Sequence, residues 1–163
     1  MPSDNSYCHR CGNGMNARDV GGTIRPHCDS CGAVVFLDPK LAVVVIVSRE
    51  DDILMVKRDI QPMMGRWSFP SGYVDRGEVV EEAAVREVRE ETSVEVKLDR
   101  LLGVYSGRGA SVVLIAYAAQ VSGGSAEAGD ETQAVGWFPS DDLPTLPFPH
   151  DEEIMSDWRT AAH

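Results

Sequence analysis

The chain reads as an α/β domain with a mixed order of strands and helices, preceded by a small cysteine-rich ribbon. Three observations predict this. All four cysteines fall within the first 31 of 163 residues, as two Cys-x2-Cys pairs. The longest apolar runs, Leu41 to Val47 and Val112 to Ala119, have the length of buried strands rather than of helices. Between them Gly72 to Val94 holds seven acidic residues and three arginines in 23 positions, with the spacing of a charged helix.

The pairs are Cys8-x2-Cys11 and Cys28-x2-Cys31, sixteen residues apart. That spacing fits a four-thiolate Zn2+ site, because each turn brings two sulfurs to one point and two turns complete a tetrahedron. Gly12 and Gly32 follow the two pairs and suit tight turns. Two disulfides are the alternative, and a reducing compartment disfavours them. His9 and His27 are expected at the surface. A ribbon this short has little core, so metal binding would supply folding energy on the order of 10 kcal/mol. Residues 1–38 are therefore expected to form a structural zinc ribbon, and residues 39–163 the main domain.

Beyond the junction at Asp38-Pro39-Lys40, Leu41 to Ser48 and Ile53 to Arg58 are expected strands, with Glu50-Asp51-Asp52 as their hairpin turn. A loop with Pro62 leads to a strand-loop stretch from Gly65 to Tyr73. A helix is expected from Glu78 to Glu91. One or two strands follow in Val94 to Ser106, and a long one in Ser111 to Gly124. Gly123 to Gln133 reads as a polar, flexible loop. A short strand, Ala134 to Phe138, and a helix, His150 to Ala162, complete the chain.

The net charge is -11. This argues against general binding to nucleic acid or anionic membranes, which requires a basic footprint. The ribbon itself has Arg10, Arg18 and Arg25 against Asp4, Asp19, Asp29 and Asp38, so it carries no basic patch. No apolar run nears the roughly 20 residues of a membrane span. No leader is visible in MPSDNSYCHRC, and the expected location is the cytoplasm.

Within the charged stretch, Glu87 precedes Glu90 by three residues and Glu91 by four, so a helix can bring three carboxylates to one face. Oxygen anions so clustered repel one another, and they are what hard divalent cations bind. The stretch resembles the Nudix box, G-x5-E-x7-R-E-U-x-E-E-x-G-U with U aliphatic. Gly72, Glu78, Arg86, Glu87, Val88, Glu90, Glu91 and Val94 fall in place, and Ser93 stands where the family has glycine. That glycine position is expected to be left-handed, at a cost to serine of about 1 kcal/mol.

The resemblance implies an α/β/α sandwich with a mixed sheet, and hydrolysis of a nucleoside diphosphate linked to another moiety. It implies Glu87, Glu90 and Glu91 as ligands of Mg2+ or Mn2+, with the Gly72 carbonyl as a further ligand. Arg86 is expected to pair with Glu78 or another nearby carboxylate and orient the cluster. Many relatives take another carboxylate from a late loop, and Glu131 is the candidate, with Glu127 and Asp130 as rivals. Glu87 or Glu90 remain open as the general base. Arg58 and Arg108 are candidate phosphate contacts, and Trp67, Phe69, Tyr73 and Tyr105 are candidate platforms for a nucleotide ring.

Several zinc-ribbon groups exist in the family. The one that cleaves NADH has S-Q-P-W-P-F-P-x-S soon after the box. Here the nearest run, Leu146-Pro147-Phe148-Pro149, lies some fifty residues downstream. Residues 7 to 94 are more similar to plant FAD and ADP-ribose pyrophosphatases. That implies a small nucleotide substrate, ADP-ribose or FAD, giving AMP plus ribose 5-phosphate or FMN. The alternatives are a MutT-like nucleoside triphosphate pyrophosphohydrolase and a sensor that binds nucleotide without cleaving it. Family habit implies a homodimer.

Overall fold

Strand β3 (Lys40–Arg49) organises the main domain. Its run Ala42 to Val47 is buried throughout, and its alternate residues serve two different cores. Val43, Val45 and Val47 pack with Ala83, Ala84 and Val88 of a helix on one face. Val44 and Ile46 pack with Ile154 and Met155 of a second helix on the other. A strand covered on both faces needs a continuous apolar run, and this is why the sequence shows one. The computed structural model describes residues 6–160. Its chain divides into two units, Met1–Asp38 and Pro39–His163.

In the first unit, β1 (Asn16–Asp19) and β2 (Ile24–His27) form an antiparallel hairpin. Each cysteine pair forms the same knuckle beside it. Gly12 N–H donates to the Cys8 carbonyl, and Gly32 N–H to the Cys28 carbonyl, both at 2.8 Å. Both glycines are left-handed, at φ 74° and 73°, which closes these turns without strain.

In the second unit, β3 turns into β4 (Asp52–Arg58) and continues through β5 (Trp67–Ser68) and β6 (Ser71–Tyr73). Helix α1 (Val80–Thr92) follows, then β7 (Val94–Tyr105), β8 (Val112–Gly124), β9 (Thr132–Pro139) and α2 (Asp151–Thr160). The sheet has seven strands in the order β5-β4-β3-β8-β7, with β6 on β3 and β9 on β4. The β3–β8 pair is parallel and the others are antiparallel, so the sheet is mixed. With α1 on one face and α2 on the other, the sandwich is as the sequence implied.

Three expectations need correction, and one left open is settled. Helix α1 begins at Val80, so Glu78 lies ahead of it. Gly77 at φ 90° supports a turn there, and the Glu78 carboxylate accepts the Asp75 N–H. Asp52 belongs to β4, so the hairpin turn is shorter than expected, with Glu50 left-handed. Of the one or two strands expected from Val94 to Ser106, the structure has one, bulged, from Val94 to Tyr105. Finally, the loop expected to be flexible is tied to the end of α1: Glu127 N–H donates to the Thr92 carbonyl and Gly129 N–H to that of Glu91. Residues 161 and 162 of the expected final helix lie outside the described residues.

Ser93 caps α1 at φ 59°, in the left-handed region, with its N–H on the Arg89 carbonyl. Serine there is strained where glycine would not be. Ser93→Gly is expected to raise stability by about 0.5–1 kcal/mol, measured by urea denaturation. An unchanged or lower midpoint would show that the position carries no strain.

Asp151, at the start of α2, is almost wholly buried, and its carboxylate accepts the Phe148 N–H at 3.0 Å. Burial pushes its pKa up from 3.8 to about 6, the Phe148 bond notwithstanding. The folded state therefore holds a proton that the unfolded chain releases near 3.8. Stability is fullest below that pH and falls as pH rises towards 6. Asp151→Asn keeps the bond and removes the charge. It is expected to be more stable than the parent by about 2 kcal/mol at pH 7 and equal to it at pH 4. A variant less stable at pH 7 would show that the helix N-terminus compensates the buried charge.

Candidate active site

The box residues meet where the second half of α1 passes over β6. The close fit starts from Gly72, which pairs with Val43 in the sheet. An ideal Cβ on Gly72 would stand 2.0 Å from the Glu87 carboxyl carbon. The missing side chain is what lets this carboxylate lie against the backbone. Next to it, Glu91 is buried and accepts the Ser71 N–H at 3.0 Å. Glu90 is the most exposed of the three, with 54% of its side chain accessible.

Arg86 ties the group together. It forks onto Glu78 through Nε at 2.7 Å and Nη2 at 3.0 Å. Its Nη1 reaches Glu87 at 2.8 Å and Glu90 at 3.0 Å, and Nη2 also donates to the Tyr73 carbonyl at 3.1 Å. The Arg86 bond holds Glu78 far below the usual carboxylate range, at about 2. Burial works the other way on the remaining pair. It raises Glu87, against the Arg86 bond, with Glu90 and Glu131 adding repulsion. It raises Glu91 to about 7, with Glu87 and Glu131 adding to it and the Ser71 bond and Arg58 opposing. Glu131 is thus within electrostatic reach of two box glutamates, although it lies forty residues beyond them. What brings it there is Gly129, whose Cβ, if present, would stand 1.8 Å from the Glu90 carbonyl oxygen. The sequence reading passed over Gly129, although a glycine before an acidic pair in a polar loop is a signal of close backbone approach.

The other candidates divide. Arg58 is buried yet has no carboxylate within ion-pair distance among the described residues. Its Nε donates to the Pro62 carbonyl at 2.9 Å, and its guanidinium lies 5.4 Å from the Phe148 ring centroid. Phe148 was set aside in the sequence because its motif stood in the wrong place; the chain returns it to Arg58. Tyr73 is half exposed, with Lys40 Nζ 4.6 Å from its ring centroid. Trp67 packs edge-on to Phe138 at 4.8 Å. Phe69 and Tyr105 are corrections: Phe69 is 1% exposed in the core under α2, so it offers no platform. Tyr105 is also buried, and its hydroxyl donates to Asp157 at 2.6 Å, fastening α2 to β7. Their aromatic character served the core, which spacing from the box could not distinguish. Arg108 is exposed in a turn.

Three carboxylates near the end of α1 and a fourth from a loop are oxygen donors of the kind that hard divalent cations take, whereas among the described residues the four cysteines alone already lie as close together as a metal would hold them. In the ribbon, the four sulfurs lie within 4.8 Å of one another. Cys8 and Cys31 are 3.6 Å apart, and Cys11 and Cys28 3.5 Å. Tetrahedral Zn–S bonds of ~2.3 Å place sulfurs about 3.8 Å apart, so the cluster fits Zn2+ and the thiols are free of disulfides. Arg10 N–H, donating to Cys8 Sγ, brings that thiol down to about 6, against burial. His27 is less exposed than expected, with Nδ1 3.1 Å from Asp29. Among the described residues no helix is long and apolar enough to cross a membrane.

The second unit is thus a mixed-sheet sandwich in which one arginine clasps the acidic residues of a helix. The NUDIX domain model matches residues 38–158, and the chain belongs to the Nudix family. It is 40% identical over 129 residues to an ADP-ribose pyrophosphatase of Methanocaldococcus jannaschii, covering 76% of this chain and 75% of that protein. It is 33% identical over 144 residues to the NAD-capped RNA hydrolase NudC of Pseudomonas aeruginosa, covering 88% of this chain. The chain spans about half, 51%, of that relative's length. A crystal structure of a NUDIX hydrolase from Nitrosomonas europaea superposes with a TM-score of 0.86 at 27% identity, covering 95% of this chain and 93% of the other.

Proposed function

We propose that this Nudix pyrophosphohydrolase cleaves ADP-ribose, or FAD, at the pyrophosphate, giving AMP plus ribose 5-phosphate or FMN. The observation that carries the reading is the ordering of Glu87, Glu90 and Glu91 along α1, with Arg86 on the first two and Ser71 N–H on the third, beside the loop that Gly129 N–H ties to the Glu91 carbonyl. The M. jannaschii relative supports the choice of ADP-ribose.

In this reading Glu87, Glu90, Glu91 and the Gly72 carbonyl would hold Mg2+ or Mn2+. Such ions neutralise the diphosphate and acidify a bound water. Arg86 and Glu78 orient the ligands, a supporting role that tunes a metal site without touching the metal. Arg58 offers its charge to a phosphate, since no carboxylate claims it. Glu131 takes the proton from the attacking water. One P–O bond of the anhydride breaks, the water oxygen stays on one phosphate, and the bridging oxygen leaves on the other. Residues 1–38 hold Zn2+ through Cys8, Cys11, Cys28 and Cys31 as a structural ribbon, and residues 39–163 carry the hydrolase.

A second reading, removal of an NAD cap from RNA, is favoured by the NudC match, which is longer than the second unit and so reaches into the ribbon. The net charge of -11 opposes it. The deciding experiment incubates the protein with ADP-ribose, FAD, NADH, 8-oxo-dGTP and NAD-capped RNA, with Mg2+ or Mn2+, and separates the products. AMP from ADP-ribose or FAD at the highest kcat/KM is the expected result. Preference for capped RNA would transfer the assignment to the second reading. No product from any of them would remove both.

A further inference from the structure

We infer that the loop Ile60 to Met64 is the ring-recognition edge of the site, with Ile60, Met63 and Met64 as specificity-determining residues for a nucleotide's planar heteroaromatic ring. The inference rests on the pyrophosphatase reading and extends it to the part of the substrate that the carboxylates do not touch.

Three of the second unit's exposed large apolar side chains, Ile60, Met63 and Met64, fall within five residues, a larger group than the pair Leu101 and Val104 on β7. Single exposed apolar residues are ordinary, and a group of them beside a polar cleft marks a binding surface. The loop is held in place on both sides. Arg58 N–H donates to the Arg66 carbonyl at 3.0 Å, Gly65 N–H to that of Arg58 at 2.8 Å, and Arg66 N–H to that of Met63 at 3.1 Å. Met63 is left-handed at φ 65°, a conformation that a bulky residue keeps only where its surroundings fix it. The fold therefore presents these side chains to solvent on a built frame.

The frame is continuous with the candidate active site. Arg58, whose charge acts on Glu91, bonds the Pro62 carbonyl at 2.9 Å. Asp59 N–H donates to the Glu131 carbonyl at 2.9 Å, tying this loop to the one that brings Glu131 in. A nucleotide whose diphosphate lies at the carboxylates and Arg58 has its ring on the surface next to them. Methionine suits that contact: its thioether is polarisable, packs against ring edges and faces, and adapts to rings of different size. The chemistry selects for an aromatic ring and is indifferent to its hydrogen-bonding edge, which accommodates both adenine and flavin.

The test uses the full chain with its methionine methyls labelled with 13C and read by NMR in Mg2+. The six methionines include the buried Met55 and Met155 as internal controls. AMP and FMN are expected to move the Met63 and Met64 signals by ring currents, and ribose 5-phosphate is expected to leave them in place. In parallel, the double variant Met63→Gln/Met64→Gln is expected to raise KM about 10-fold with kcat little changed, the pattern of lost ground-state contacts. Both residues are exposed, so circular dichroism should be unaltered. Methyl signals unmoved by saturating AMP and FMN, or a KM equal to that of the parent, would overturn the inference. Failure of the pyrophosphatase reading is separately visible as absence of product from the unmodified chain, because the NMR arm needs no turnover.

Discussion

Replacing Gly72 with alanine is expected to lower kcat/KM for ADP-ribose about 100-fold and to leave the chain folded. The new Cβ would stand 2.0 Å from the Glu87 carboxyl carbon and 2.2 Å from both of its oxygens. No real contact is that short, so one partner must move. The backbone at Gly72 is paired with Val43, in the middle of the β3–β6 register, and yields less readily than a side chain. Glu87 therefore swings away, giving up its 2.8 Å bond to Arg86 Nη1 and its place among the metal-holding oxygens. A misplacement of ~1 Å in a reacting constellation costs on the order of 100-fold in rate. The apolar contacts of α1 run through Ala83, Ala84 and Val88, none of which the new methyl meets, and they stay in place. Steady-state kinetics and a thermal melt on the same preparation separate the two effects. Activity within a few-fold of the parent, with the fold retained, would remove Glu87 from the ligand set.

What was legible beforehand follows from the range of the interactions concerned. Glu87, Glu90 and Glu91 lie on one helix, and their sharing a face needs only its period. Ser93 betrayed a left-handed cap because glycine's place in the pattern is itself a backbone statement, and the φ of 59° agrees. The strand β3 announced burial on both faces through an unbroken apolar run. By contrast, Glu78 was placed on the helix because a period continues on paper through residues that a turn at Gly77 removes from it. Phe69 and Tyr105 looked like ring platforms because proximity in sequence to the box says nothing of which face of the sheet a side chain takes. The meeting of Phe148 with Arg58, and the approach of Gly129 to Glu90, join segments whose separation leaves no periodic trace. Local order was readable, and contacts closed by tertiary packing were not.

Arg86→Lys is expected to lower kcat/KM by about 10–100-fold, the scale at which partners of metal ligands act. The charge survives this substitution and the fork does not. Arginine reaches Glu78 with two nitrogens while a third bond goes to Glu87 and others to Glu90 and the Tyr73 carbonyl. An ammonium is a compact point charge on a flexible stem and cannot span these directions at once. Poor positioning should also weaken the apparent affinity for Mg2+, seen as a higher metal concentration at half-maximal rate. Glu78 supplies a readout independent of turnover. Arg86 brings its pKa from 4.5 down to about 2, so the ionised pair persists through the acid range and is lost as pH falls through about 2. In the lysine variant the Glu78 carboxyl, followed by 13C NMR, should titrate nearer 4.5. If Glu78 still titrates near 2 while turnover falls, Arg86 acts on the reaction by direct contact with substrate. If both are unchanged, the cluster is held by the backbone of β6 and α1, and the arginine is an ordinary ion pair.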